Sequence, residues 1–287
     1  MPAWRDLAGN YMSIALGRIG IWRRQPDLTP DLAAELERLG YGAIWIGGAS
    51  GDLRLAEVLL DATSQITVAT GIVNIWANDA TAVADAYHRV TARHPERFLL
   101  GVGVSHPEFN ERYQQPYAAL VSYLEELDRA RVPASGRVLA ALGPKVLALA
   151  AERAAGAHPY LVTPGYTRRA RELLGPGPLL APEQKVLLES DPERARAIAR
   201  PAVRDPYLRL TNYVANLRRL GWTDADLADG GSDRLIDALS PHGDAATLAG
   251  HVTAHLEAGA DHVPVQVLGP DPMPAYQALS ARLGLTA

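Results

Sequence analysis

The chain has 287 residues, with 28 basic against 32 acidic side chains and a net charge of −4. It has no cysteine, which excludes disulfides, thiolate nucleophiles, iron–sulfur clusters and cysteine-ligated zinc. The charge balance gives no polybasic surface, so neither nucleic acid nor a membrane surface is an expected partner.

At roughly 150 residues per domain, the length allows two domains or one α/β barrel of about 250 residues. The opening MPAWRDLAGNYMS has no signal-like apolar run, and charges interrupt every later one, so the expectation is a soluble, cytoplasmic protein.

Short apolar runs alternate with helical patterns along the chain. Residues 13–22 (SIALGRIGIW) read as the first strand. Residues 29–40 read as a helix, with Thr29 to cap the free amides, Pro30 at the first helical position and Gly40 at the stop. The second strand is 43–46 (AIWI), followed by a helix at 52–63. The third is 66–73 (ITVATGIV), rich in β-branched residues. A helix over 78–93 presents Val83, Ala86, Tyr87 and Val90 on one face.

Residues 98–102 form the fourth strand, 116–131 a helix on Leu120, Tyr123, Leu124 and Leu127, and 138–142 the fifth strand. Helices at 144–155 and 167–174 flank a sixth strand at 160–163. The seventh is 183–188. A long helical stretch, 192–246, opens at the Asp191–Pro192 start signal. A helix at 247–259 and a strand at 262–268 (HVPVQVL) complete the series. Strict alternation calls for a parallel sheet. Eight units point to a single (β/α)8 TIM barrel spanning 1–287, with 192–246 as a helical insertion between strands seven and eight. An open doubly wound sheet is the structural alternative.

Barrel chemistry sits just after the strands. Those positions are rich in glycine and aromatics and poor in charge: Trp22, 47–50, 74–76, 103–106, 142–145, 163–167, Glu189 and Gly269. They lack the carboxylate cluster of a divalent metal site and the paired carboxylates of a glycosidase, so no metal is expected. They suit a planar organic molecule. Leu142, Gly143 and Pro144, then Thr163, Gly165 and Thr167, run from strand into helix and leave free amides for a phosphate. Ordinary turn chemistry accounts for the same residues. His106 is the one histidine directly after a strand and could move a proton near neutrality; a solvated loop histidine is the plain alternative. His251 and His255 are spaced as on one helix face, and a solvated or interface face explains them best. Trp22 and Trp76 are candidate pocket walls, with Phe109 beside them.

Three segments carry a resemblance: TGIVN at 70–74, RHPERFLLGVG at 93–103 and AALGP at 140–144. They look like the bacterial luciferase-like barrel superfamily. NYVANLRRLG at 212–221 and AGADHV at 258–263 resemble its deazaflavin branch. The resemblance implies an oxidoreductase passing a hydride between coenzyme F420, an 8-hydroxy-5-deazaflavin, and a small organic substrate. It implies a cis peptide at Gly71–Ile72 behind the ring, with Val73 and Asn74 beside it. Gly103, Val104 and Ser105 would flank the ring, and His106 would serve as proton donor.

Ala141, Leu142, Gly143 and Pro144 would hold the cofactor phosphate, with Thr163, Gly165, Tyr166 and Thr167 on the next loop. Relatives often dimerise, so a homodimer is the assembly it suggests. Two departures stand out. Gly48–Ala49 replaces an Asp-His pair of some relatives, against sugar-phosphate dehydrogenation. Tyr166 replaces a lysine that some use for the cofactor's acidic tail. An FMN-dependent monooxygenase or reductase is the nearest rival, followed by a non-catalytic flavin or deazaflavin carrier and a cofactor-free isomerase.

Overall fold

The computed structural model describes residues 14–106 and 115–286. Its strands are β1 (Ile19–Arg24), β2 (Ala43–Gly47), β3 (Thr67–Thr70), β4 (Val73–Asn74), β5 (Phe98–Gly103), β6 (Arg137–Leu139), β7 (Gly156–Ala157), β8 (Leu179–Leu180), β9 (Gln184–Val186) and β10 (Val263–Val267). Its helices are α1 (Pro30–Arg38), α2 (Arg54–Asp61), α3 (Ala80–Arg93), α4 (Pro116–Arg129), α5 (Pro144–Arg153), α6 (Pro164–Leu174), α7 (Pro192–Arg204), α8 (Thr211–Arg219), α9 (Asp224–Leu227), α10 (Asp233–Leu239), α11 (Ala245–Glu257) and α12 (Met273–Leu283).

The strands pair in parallel in the order β8-β7-β6-β5-β3-β2-β1-β10-β9, with β4 added on β5. The two ends of that order, β8 and β9, follow one another in the chain. The sheet therefore curls back toward itself, as in a TIM barrel. Helix starts obey local chemistry. Thr29 Oγ1 accepts from Leu32 N at α1, Asp79 from Ala82 N at α3, and Asp191 from two amides at α7. The apolar stripes face inward: Val83, Ala86, Tyr87 and Val90 of α3, and Leu120, Tyr123, Leu124 and Leu127 of α4, are buried.

Several expected boundaries shift, each for a backbone reason. The first strand begins at Ile19, because Gly17 has φ +65 and breaks the extended run before it. The run 66–73 is divided into β3 and β4 around a cis Gly71–Ile72 peptide. The fifth strand stops at Leu139, and Ala140–Leu142 leave the sheet. The sixth is β7, earlier than expected; Tyr160 and Leu161 lie beyond it, with Leu161 at φ +54. The seventh strand, expected over 183–188, is β9 and stops at Val186, and a short β8 that was not expected precedes it.

The space inside the curled sheet holds polar groups that the fold must satisfy. Trp45 Nε1 donates to His262 Nε2 at 3.0 Å, and His262 Nδ1 sits 3.0 Å from Gly17 O. The His158 ring stacks on Trp45 at 4.3 Å. Lys185 Nζ meets Glu183 Oε1 at 3.0 Å, and Glu183 Oε2 accepts from Leu161 N. His255, expected on a solvated or interface face, is fully buried between Thr167 Oγ1 at 2.8 Å and Gln184 Oε1 at 2.7 Å. It ties α11 to α6 and β9.

Candidate active site

A cavity of about 770 Å³ opens at the carboxyl ends of the strands. Trp22 from the second half of β1 forms one wall, and its Nε1 donates to Gly71 O at 3.1 Å. Gly71, Ile72 and Asn74 bring the bulge between β3 and β4 to the same space. Beneath the bulge, a Cβ on Gly103 would come 2.8 Å from Ala140 Cβ and 3.3 Å from Ile72 Cγ1. Glycine there lets the bulge seat on β5 and the β6 exit. Gly103 is thus a packing residue below the lining, and Val73 is core.

After β5 the chain turns through Ser105 at φ +52 and sends His106 to the cavity with Val104 and Ser105. Trp76 Nε1 donates to Val104 O at 2.7 Å, so Trp76 braces this loop from behind. Phe109 lies outside the described residues.

The opposite wall comes from residues absent from the expected site, although Tyr213 lies within 212–221, a segment that carries the resemblance. The Tyr160 ring packs on Trp22 at 5.1 Å and on Tyr207 at 5.3 Å. Tyr207 meets Tyr213 at 4.9 Å, and Tyr213 meets His106 at 5.5 Å. The aromatic wall is continuous from β1 to the loop after β5, and half of it comes from the stretch between β9 and α11. Tyr160 Oη donates to Gln266 Oε1 at 2.8 Å, and burial pushes its phenol well above the ordinary tyrosine value. Lys185 Nζ stands 3.8 Å from the centre of the Tyr160 ring, a buried cation–π contact behind the wall.

At the outer end lie Ala141, Leu142, Gly143 and Lys145, where the β6 exit becomes α5. Gly143 is the N-cap and no side chain caps the helix, so its first amides face the cavity mouth. Arg219 from the end of α8 joins this lining, while Arg24, at the end of β1 and paired with Asp27, lines the cavity from the β1–β2 side. Among the described lining residues there are three cations and no carboxylate. The site is built to receive negative charge at one end and a flat apolar body at the other.

The second expected phosphate loop is arranged differently. Thr163 and Gly165 line a separate pocket of about 300 Å³ with Arg169, Trp222 and Arg234. Thr167 is a correction: its hydroxyl is buried on His255 and cannot also reach a phosphate. Tyr166 is buried too, its hydroxyl shared between the carbonyls of Ala141 at 3.1 Å and Leu142 at 3.0 Å. It is a strut from α6 to the β6 exit. Tyr166→Phe should cost about 1 kcal/mol of stability and weaken binding of an anionic ligand at Gly143 a few-fold. Urea midpoints and a binding titration check both halves; unchanged binding would confine Tyr166 to the core.

Among the described residues no helix is long and apolar enough to cross a membrane. Residues 14–131 match the family model described as luciferase-like monooxygenase. No curated protein sequence matches the chain. Among solved structures, an F420-dependent secondary alcohol dehydrogenase with an F420–acetone adduct is similar with TM-score 0.72 at 14% identity, covering 94% of this chain and 99% of that one. The coenzyme F420-dependent tetrahydromethanopterin reductase of Methanopyrus kandleri gives 0.68 at 20% identity, covering 92% and 97%. The oxygenating constituent of 3,6-diketocamphane monooxygenase from Pseudomonas putida, solved with FMN, gives 0.65 at 15%, covering 93% and 96%. Residues 14–131 thus match the luciferase-like monooxygenase model, and the described chain as a whole shares its fold with these solved structures.

Proposed function

We propose that the chain is an F420-dependent oxidoreductase, built as one (β/α)8 barrel domain in which β8 and β9 are halves of a single interrupted strand and 192–246 is an insertion. The observation that carries the reading is the one cavity that joins the Gly71–Ile72 bulge to the uncapped start of α5, with cations and no carboxylate among its described lining residues. The residues present fit such a group. Gly71 leaves room for a flat ring against the bulge, since a Cβ on it would stand 2.9 Å from Trp22 Nε1. Gly143, where a Cβ would meet nothing within 4 Å, leaves the α5 amides open to a phosphate.

When bound, the deazaflavin supplies hydride donation or acceptance at a ring carbon. The chain's own part is to orient and to exclude water. Ile72 and Trp22 would back the ring, and Lys145 and Arg219 would hold the anionic tail. The tyrosine wall would pack a small organic substrate opposite the ring. His106, at the end of that wall, would hold or deliver the substrate's proton.

FMN is the second reading, supported by the P. putida neighbour solved with it. Side-by-side fluorescence titration of the purified protein with F420 and FMN decides between them. Tighter binding of FMN by tenfold, about 1.4 kcal/mol, overturns F420. With the cofactor known, His106→Ala should lower kcat while leaving cofactor affinity within a few-fold. Equal loss of both would remove the proton-transfer role.

A further inference from the structure

One polar atom at the inner end of the cavity has no function in the account so far. His158 follows β7, is 2% exposed and lines the cavity beside Gly71. Its Nδ1 lies 2.8 Å from the carbonyl oxygen of Ala181. A carbonyl can only accept, so Nδ1 carries the hydrogen. Burial holds the ring's pKa down at about 4, so at neutral pH it is uncharged and Nε2 presents a lone pair. That lone pair has no hydrogen-bond partner among the described residues.

The neighbouring histidine serves as an internal comparison. His262 lies on the same Trp45 ring, with the same pattern of Nδ1 on a carbonyl and Nε2 as acceptor. Its Nε2 is satisfied by Trp45 Nε1. His158 has the same tautomer and nothing to accept from. A buried acceptor left so is destabilising, and the residue that carries it lines the cavity. A Cβ on Gly71 would stand 3.1 Å from Nε2 and 2.9 Å from Trp22 Nε1. The missing side chain at Gly71 is what keeps this corner open.

We propose that His158 Nε2 is the inner hydrogen-bond acceptor of the cavity, receiving the imide N–H on the edge of a bound flavin-type ring and fixing which end of that ring enters first. The proposal rests on the ring-binding reading above and adds polarity to it. A donor N–H goes in against a lone pair, and an anionic tail comes out toward Lys145, Arg219 and the α5 amides. Flavins and deazaflavins both carry an imide N–H on the edge of the ring system away from the tail's negative charge, so the assignment does not depend on which of the two binds.

The test is equilibrium titration, by ring fluorescence, of FMN, F420 and N3-methyl-FMN against wild type, His158→Phe and His158→Leu. Phe keeps an aromatic ring on Trp45, and circular dichroism verifies that each variant is folded. Wild type should bind FMN at least tenfold more tightly than N3-methyl-FMN. Each folded variant should lose about tenfold for FMN and F420, and no more than twofold for the N-methyl ring. Equal binding of FMN and N3-methyl-FMN by wild type overturns the proposal without any variant. Equal loss of both rings in the variants also overturns it, and makes His158 a packing residue. Failure of wild type to bind FMN or F420 instead overturns the ring-binding reading on which it stands.

Discussion

Lys185→Met should destabilise the protein by about 3–5 kcal/mol, among the largest losses available to a single substitution here. Glu183 and Lys185 are both fully buried, side by side at β9. Burial pushes the Glu183 carboxyl up and the Lys185 ammonium down, and each partner opposes the other's shift. Removing the ammonium leaves a carboxylate in the barrel wall with only the Leu161 amide to satisfy it. The group must then stay charged without its counter-ion or take up a proton, and both cost stability.

Glu183→Gln in the same chain should restore most of the loss, because the amide oxygen can still accept from Leu161 N while no charge remains buried. Urea unfolding of the two single variants and the double variant measures this. A double variant as unstable as Lys185→Met alone would show that the lost packing under Tyr160, rather than the orphaned charge, sets the cost. The pair has a second consequence. Lys185 presses on the back of the Tyr160 ring, so the double variant should still bind its ring ligand more weakly than wild type even where stability recovers.

The elements legible in the sequence were those whose cause is local. Thr29, Asp79 and Asp191 cap helices because the side chain and the amides it serves are two or three residues apart. The inner faces of α3 and α4 follow from spacing alone. One half of the cavity was legible for a similar reason. Trp22, Gly71, Ile72, Asn74, His106, Leu142 and Gly143 stand at strand ends, and all line it. What could not be read came from distant partners. Thr167 looks like a phosphate residue until His255, from another helix, takes its hydroxyl. His255 looks solvated until α11 packs on α6. Tyr207 and Tyr213 stand in a helical excursion with no strand-end signature; only the resemblance of 212–221 pointed there, and it did not say that Tyr213 forms a wall. His158 was overlooked because the strand before it is two residues long and was placed later in the chain. A histidine following a Gly-Ala pair inside an apolar run is the signal that could have found it.

Acid should unfold the protein well before its surface carboxylates are titrated. Burial holds His158 and His262 at about 4 and His255 at about 3. In the unfolded chain all three would titrate near 6.5. Above pH 6.5 neither state binds these protons, and the native state keeps its full advantage. As pH falls from 6.5 toward 4, the unfolded chain takes up three protons that the native chain refuses, and stability is lost. At about 1.4 kcal/mol per unit, each histidine contributes about 3 kcal/mol over that window.

Asp261 runs the other way. Burial raises it to about 6 against the pull of Arg171, so the native state binds its proton first and the effect of roughly one histidine is offset. The remainder from these four groups, about 6 kcal/mol, is comparable with the whole stability of a typical domain. The melting temperature should therefore hold from pH 8 to 6.5 and fall by more than about 10 °C by pH 5. His255→Gln, judged by its slope rather than its absolute stability, should show a shallower decline between pH 6.5 and 5 than wild type. A flat profile down to pH 4.5, or a decline that begins only below pH 4, would mean that the three rings are charged in the native core. The hydrogen-bond roles assigned to their lone pairs would then be wrong as well.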